Sequence, residues 1–184
     1  MFHSSRKAFT LIELLVVIAI IAILAVVVIL TLNPAALLQQ SRDSSRVSDM
    51  ATLNSALSLY STDQNGSASF NMGSSSVVYV SIPDPMATTT AGDQCQGLNL
   101  ITLPAEYTYH CAASSTYRGV NGTGWIPVNF SNISSGAPIG NLPIDPTNTS
   151  SSRLYYTYET NGTQFETTAA MESQKYQLGG SNDV

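Results

Sequence analysis

The chain has 184 residues, with 12 acidic and 7 basic side chains and a net charge of −5 at pH 7. This length is enough for one domain and an anchor, and so few basic residues exclude the positive surface that duplex nucleic acid requires. No enzyme class is indicated, because His110 is the only histidine beyond the N-terminal segment and no G-x-S-x-G motif occurs. We therefore expect a protein that is not an enzyme, with no cofactor and no nucleic-acid partner.

Residues 9–32 form the first predicted element, an apolar helix long enough to cross a membrane. They include no Lys, Arg, Asp, Gly or Pro. At about 1.5 Å per residue the helix is roughly 36 Å long, against about 30 Å for the hydrocarbon core of a bilayer. Arg6 and Lys7 precede it, which predicts a cytoplasmic N-terminus and an external remainder. An ordinary secretory signal is disfavoured, because the run exceeds about 15 residues and no small-residue cleavage site follows it.

Glu13 is the only formal charge in this helix. An acidic side chain inside a membrane helix costs on the order of 2.5–3.5 kcal/mol, and such residues are typically functional. The alternative is a carboxylate that extends to the lipid headgroups from a position near the helix end. The surrounding sequence favours the functional interpretation, since Glu13 belongs to a longer pattern.

That pattern is the leader MFHSSRKA, followed by FTLIE and an uninterrupted apolar helix. It closely resembles the class III signal of type IV prepilins and of the pseudopilins of type II secretion. The resemblance implies that residues 1–8 are a leader peptide, that a prepilin peptidase cuts between Ala8 and Phe9, and that it methylates the new N-terminal Phe9. The family usually has Gly where this chain has Ala8, and because alanine is the next smallest side chain we expect cleavage.

The resemblance also implies a role for Glu13, which would pair with the Phe9 amine of a neighbouring subunit in a filament of staggered helices. A buried charge is unfavourable alone but tolerable in a well-formed pair, so assembly would complete its neutralisation. The implied partners are further copies of the chain, the prepilin peptidase, an inner-membrane assembly platform, and the membrane before assembly. Loss of Arg6 and Lys7 with the leader leaves 5 basic and 12 acidic residues, so the side-chain net charge of the mature chain would be near −7.

Two other functions stay open from the sequence. One is a membrane-anchored binding module that never polymerises, and the other is a minor or competence-type pseudopilin. The sequence does not decide between a pilus and a secretion pseudopilus, and it identifies no secreted substrate or adhesion target.

Residues 33–64 are predicted to form the outer half of a long helix. Pro34 predicts either a kink with a short melted stretch or a true helix end, with Pro34 as the first residue of a new helix. One apolar stripe at spacings of three and four is expected to face the rest of the protein. Its members are Val47, Met50, Leu53, Leu57 and Tyr60.

Four charged residues near the start of this segment have two interpretations. They are Arg42, Asp43, Arg46 and Asp49. They form either a solvated face, with pairs worth about 0.2–0.5 kcal/mol each, or part of a lateral interface between subunits.

Residues 65–184 are predicted to be a β-rich head. Strands are expected at 77–82 and 106–111, and more weakly at 124–130, where Pro127 favours an edge or a loop. A hairpin is expected at 154–159 and 164–169, because Asn161-Gly162 between alternating runs is a strong turn signal. Strands that follow one long helix predict an α+β fold, in which a small antiparallel sheet covers the apolar stripe. The segments GWIPVNF, LPIDP and LYYTYE resemble pseudopilin heads, which implies a pilin-like fold.

The two cysteines, Cys95 and Cys111, enclose fifteen residues and lie outside the membrane in the predicted orientation. An exported pair predicts a disulfide, with two free thiols as the alternative. No metal site is predicted, because His110 beside Cys111 lacks further ligands at suitable spacing. Asp145 resembles in position the calcium loop of some major pseudopilins but falls short of the about six to eight oxygens that calcium requires, so a calcium ion there is left open.

Overall fold

A computed structural model describes residues 9–84, 86, 95 and 97–179. The predicted leader with Ala8, and Pro85 at the expected end of the first strand, lie outside these residues. The helices are α1 (Leu11–Leu32) and α2 (Pro34–Gln64), and the strands are β1 (Val77–Asp84), β2 (Thr108–Ala113), β3 (Tyr156–Thr160) and β4 (Phe165–Ala169). The four strands form one sheet in the order β2-β1-β3-β4. The predicted α+β class is confirmed, and residues 65–179 are termed the head below.

A single residue, Asn33, separates the two helices. It has a left-handed backbone conformation with φ 40° and ψ 77°, which asparagine tolerates better than most residues. Its side-chain oxygen accepts a hydrogen bond from the Ala36 N–H at 3.4 Å, and Pro34 begins α2 at a position where no N–H is needed. The structure therefore has a true helix end at Asn33, the second predicted arrangement, and not a kink inside one helix at Pro34.

The main core lies between α2 and the inner face of the sheet. Leu53, Leu57 and Tyr60 are completely buried on α2, at the predicted spacing. They belong to one cluster with aromatic and aliphatic side chains of the head, namely Tyr79, Trp125, Ile126, Val128, Phe130, Tyr156 and Tyr158. Burial of each such side chain is worth about 1.5–3 kcal/mol. The stripe begins at Met50, because Val47 is 37% exposed.

The sheet is mixed, so the predicted all-antiparallel sheet is wrong. β1 pairs in parallel with β2, while β3 is antiparallel to both β1 and β4. Parallel neighbours require a long crossover connection instead of a hairpin, and residues 85–107 provide it. The predicted terminal hairpin is confirmed as β3 and β4.

The described part of this crossover covers the outer face of the sheet. Leu98, Leu100 and Leu103 pack against a second cluster that includes Val80 of β1. Consequently β1 is buried on both faces, as expected of a central strand in a sheet covered on both sides.

The weak third strand, 124–130, does not form. Its Trp125, Ile126, Val128 and Phe130 are all completely buried, so their side chains do not alternate between core and solvent as in a half-buried strand. Pro127 has no N–H for a strand ladder. The segment is a packed loop that ends in a single 3-10 turn, Phe130–Asn132.

Candidate functional site

The start of α1 is organised by a reciprocal hydrogen-bonding pair, Thr10 and Glu13. The Thr10 backbone N–H and hydroxyl both donate to Glu13 Oε2 at 2.8 Å, and the Glu13 N–H donates back to the Thr10 hydroxyl oxygen at 3.3 Å. This is a capping box, in which the backbone N–H groups of two residues lack helical partners and each donates to the side chain of the other residue. The T-x-x-E spacing could have revealed it in the sequence, and the sequence-based prediction missed it.

The capping box gives the Glu13 carboxylate partners within a single chain. Its position at the helix N-terminus is also electrostatically favourable, because the helix dipole is positive there. These hydrogen bonds come from an uncharged residue and do not neutralise the carboxylate, so the pairing of Glu13 with the Phe9 amine of a neighbouring subunit stays a prediction. Oε2 accepts both hydrogen bonds, while Oε1 accepts none from the part of the chain that the structure describes. One carboxylate oxygen stays available for a second donor.

Phe9 lies immediately before the capping residue and is 85% exposed. The predicted cut would place its amine one residue before Thr10 and four residues before Glu13. Ala8, the other residue of that bond, lies outside the described residues.

The surface of α1 is apolar on all sides. Its span from Leu11 to Ile29 has a mean hydropathy of 3.4, and none of it is buried against the head. A helix that is hydrophobic all round requires lipid or other helices around it. Phe9, Glu13 and this surface together form the candidate functional site.

A second notable feature is a buried ionic cluster that consists of Asp43, Arg46, Asp145 and Glu172. Arg46 is completely buried and binds both oxygens of Asp145, at 2.6 and 2.9 Å. It also contacts Asp43 and Glu172, each at 2.7 Å. A guanidinium with its fork-like donors suits such bidentate contacts.

The ionic cluster joins three distant parts of the chain. Asp43 accepts the backbone N–H groups of Glu172 at 2.9 Å and Ser173 at 2.7 Å, which fastens the C-terminal segment to α2. Arg42 adds a half-exposed pair with Glu172 at 2.5 Å. The expected solvated face and lateral interface are therefore both wrong for Asp43 and Arg46, whose side chains are fully buried inside one subunit.

Contacts in and around this cluster shift the pKa values of Arg46, Asp43 and Glu172. Burial opposes the charge of Arg46, but hydrogen bonds to three carboxylates outweigh it and raise the Arg46 pKa. Burial also opposes ionisation of Asp43, yet donors of the C-terminal segment and Arg46 leave its pKa below the ordinary value. The hydrogen bond from Arg42 is the main cause of the lowered Glu172 pKa. These groups are therefore ionised at neutral pH.

The position considered for calcium is engaged by Arg46 instead. Asp145 Oδ1 also accepts the N–H groups of Thr147 at 2.8 Å and Asn148 at 3.2 Å. The Asn148 side chain bonds Ser81 and not a neighbouring carboxylate. Within the described ranges no three His, Cys, Asp or Glu side chains are grouped so that they could hold a metal ion. The arginine supplies the positive charge that this loop binds.

Cys95 and Cys111 form the predicted disulfide, with a Cα–Cα distance of 5.2 Å. Both residues are buried in the outer cluster with Val78, Val80 and Ile82. The bond fixes the crossover connection to β2, and therefore holds the cover on the outer face of the sheet.

We expect the double substitution Cys95→Ser with Cys111→Ser to lower the free energy of unfolding by about 3 kcal/mol, the loop-closure value for a ring of this size. Denaturant unfolding of the full-length protein in detergent, followed by circular dichroism, measures the loss. The wild type, unfolded under the same conditions without reductant so that its disulfide stays intact, is the reference. An unchanged midpoint in the double variant would contradict a stabilising role for the disulfide.

Comparison with known protein families agrees with the geometry at the N-terminus. Residues 3–29 match the family model described as the prokaryotic N-terminal methylation motif. The match includes Phe9 and Glu13, and it supports a class III signal peptide like that of type IV prepilins and pseudopilins. With the apolar helix α1 it fits a membrane-anchored precursor. The chain matches no curated protein and no solved structure.

Proposed function

We propose that this chain is a structural subunit of a type IV pilus or a type II secretion pseudopilus. A prepilin peptidase removes residues 1–8, methylates Phe9, and releases a subunit that polymerises through α1. The observation that supports the proposal most is the methylation motif at residues 3–29, because it ends in an apolar helix whose described span, Leu11–Ile29, is not buried against the head.

The apolar surface of α1 suits two successive environments. In the precursor, lipid surrounds the helix, with Arg6 and Lys7 on the cytoplasmic side and the head outside. In the filament, neighbouring α1 helices replace the lipid, and helix–helix packing offsets the loss of lipid contacts. The subunit therefore begins as a single-pass membrane protein and ends in a surface or periplasmic filament.

Glu13 supplies the specificity of assembly in this proposal. Its Oε2 is held by Thr10, so the carboxylate is oriented before assembly and presents Oε1 to a further donor. The Phe9 amine of a neighbouring subunit is a hydrogen-bond donor of opposite charge. Such a pair forms only at one stagger of adjacent helices, and an unpaired buried charge opposes every other stagger.

The proposed partners follow from these steps. They are the prepilin peptidase at the Ala8–Phe9 bond, an inner-membrane assembly platform that extracts the subunit from lipid, and other copies of the chain. No catalytic role is proposed, and the head is assigned to the outside of the filament.

A membrane-anchored module that does not polymerise is the second candidate. The capping box favours it, because Glu13 is already hydrogen-bonded within a single chain and a plain anchor would need nothing more. Processing at Phe9 and the presence of filaments distinguish the two functions.

Protein isolated from cells that contain a prepilin peptidase is expected to begin at Phe9 and to have one added methyl group. N-terminal sequencing and intact mass measure this, and electron microscopy of sheared filaments tests polymerisation. Ala8→Gly, which restores the usual family residue, is a matched control and should be cut at least as fast. Ala8→Leu should stay uncut. A wild-type protein that begins at Met1, or beyond residue 32, would overturn the proposal.

A further inference from the structure

The sheet contains an open cleft where β1 and β3 diverge. The two strands are paired only at Tyr79–Tyr158 and Val80–Thr157. Beyond these pairs β1 continues alongside β2, and β3 continues alongside β4. A cavity of about 670 Å³ lies between the two halves, lined by Ser76, Val77 and Tyr107 on one side and by Glu159, Asn161 and Glu166 on the other.

Two glutamates face each other on the β3–β4 side of this cleft. Glu159 is directly opposite Glu166 in the antiparallel register, and both are exposed. Neither carboxylate has an ion pair or a hydrogen bond with any residue that the structure describes. Like charges directly opposite each other destabilise an antiparallel pair, so the subunit alone is less stable because of this arrangement.

The head and α2 also contain one arginine, Arg153, whose side chain has no ion pair or hydrogen bond with the residues that the structure describes. In the described part of the chain, Arg42 and Arg46 are bound to carboxylates, Arg118 donates to the Leu142 carbonyl, and Lys175 lies over a tyrosine ring. Arg153 is exposed, and its side chain has no such partner there.

Arg153 and the glutamate pair lie toward opposite ends of β3. Arg153 closes a turn that begins at Ser150, just before the strand, and Glu159 lies near its far end. Six residues at about 3.3 Å each separate them by as much as roughly 20 Å. At this separation Arg153 does not pair with Glu159 or Glu166 of its own chain. The opposite charges can therefore meet only between two copies.

We infer that Arg153 of one subunit binds in the Glu159–Glu166 cleft of the next, as a head-to-tail contact between copies. The inference rests on the proposed function, because it describes how heads meet in the filament. A contact between two different surfaces of the same subunit does not close on itself and generates an open polymer. A guanidinium can donate hydrogen bonds to both carboxylates at once, which offsets the repulsion between them in the isolated subunit.

Net charge restricts how a second copy can approach the cleft. The mature chain is near −7, from 5 basic and 12 acidic residues, so copies repel each other at long range. An exposed arginine without a partner of its own, bound in an acidic cleft of the next copy, would therefore determine which surfaces approach.

The test is filament yield from cells that express full-length variants. Arg153→Glu is expected to lower the yield of sheared filaments about fivefold, the effect of losing one exposed ion pair per contact. Lys175→Glu makes the same charge change at a half-exposed cation elsewhere on the head and should leave the yield unchanged. Arg153→Glu combined with Glu159→Arg and Glu166→Arg reverses both sides of the contact and should restore it.

A second measurement separates assembly from folding. Glu166→Gln removes the like-charge repulsion, so its melting temperature should equal or exceed that of the wild type while its filament yield falls. Wild-type yield from Arg153→Glu, or no recovery in the reversed variant, would overturn the contact. A yield that falls in Glu166→Gln but not in Arg153→Glu would also overturn it, because the cleft would then bind another cation. Wild-type filaments with a processed N-terminus show that failure of the contact is not failure of the proposed function.

Discussion

Arg46→Met is expected to lower the free energy of unfolding by about 3–5 kcal/mol, the cost of removing one partner from a buried ionic group. The substitution leaves the carboxylates of Asp43, Asp145 and Glu172 close together without their shared cation. Methionine is flexible and fills irregular space, so lost packing contributes little. Denaturant unfolding of the full-length protein in detergent measures the change, with fluorescence of the single buried tryptophan, Trp125, as the signal.

Arg42→Met is the matched control for this experiment. Its side chain is 36% exposed and pairs only with Glu172. Exposed pairs are worth about 1 kcal/mol or less, so this variant should unfold near the wild-type midpoint. Equal losses from the two variants would contradict a special role for the buried arginine.

The pH dependence provides an independent readout of the same cluster. The pKa values of Asp43 and Glu172 are lowered in the folded protein, so their stabilising effect is present above the unfolded values of about 3.9 and 4.3. It is lost as the pH falls through the lower folded values. Wild-type stability should therefore decline below about pH 4.

In Arg46→Met a fall in pH is expected to stabilise the folded protein, because protonation removes the repulsion and the desolvation cost of buried carboxylates that lack a cation. The difference in unfolding free energy between the two proteins should therefore shrink between about pH 7 and 4. A difference that stays constant across this range would show that lost packing, and not charge, causes the destabilisation.

Local patterns were sufficient to predict much of the fold. The apolar run gave α1, the spacing of Leu53, Leu57 and Tyr60 gave the buried face of α2, and Asn161-Gly162 gave the terminal hairpin. Each of these signals involves residues within a few positions of one another. Their physical basis is a local period or a turn conformation, and it does not depend on the rest of the chain.

The ionic cluster could not be predicted in the same way. Arg46 meets Asp145 across 99 positions, and Asp43 meets Ser173 across 130. At the sequence level, the spacing of Asp43 and Arg46 is the same in an exposed helix face and in a buried one. The parallel pairing of β2 is similarly non-local, because it depends on the path of the crossover connection.

The capping box is a different case, since its residues are only three apart. The sequence-based interpretation considered only the charge of Glu13, although Thr10 three positions earlier also makes a hydrogen-bonding role possible. The carboxylate has two separable properties, a negative charge and an oxygen that caps α1. A test of its function must change one property without the other.

Glu13→Gln is expected to lower filament yield at least tenfold, while the subunit still inserts into the membrane. Glutamine also serves in a capping box, so the start of α1 is retained and only the charge is lost. In the proposed filament, the Phe9 amine of the neighbouring subunit would then lose its counter-ion, and an unpaired buried charge is strongly unfavourable. Sheared-filament yield and the membrane-bound pool of processed subunit measure the two effects.

Thr10→Val is the complementary variant, because it removes the hydroxyl but retains the charge of Glu13 and the donor N–H. It should cost about 1 kcal/mol of helix stability and leave a substantial fraction of the filaments. If the charge acts through assembly, Glu13→Gln must be the more severe of the two. If Thr10→Val instead abolishes filaments and Glu13→Gln forms them normally, Glu13 serves only to cap α1, and the neighbouring amine must be neutralised by another group.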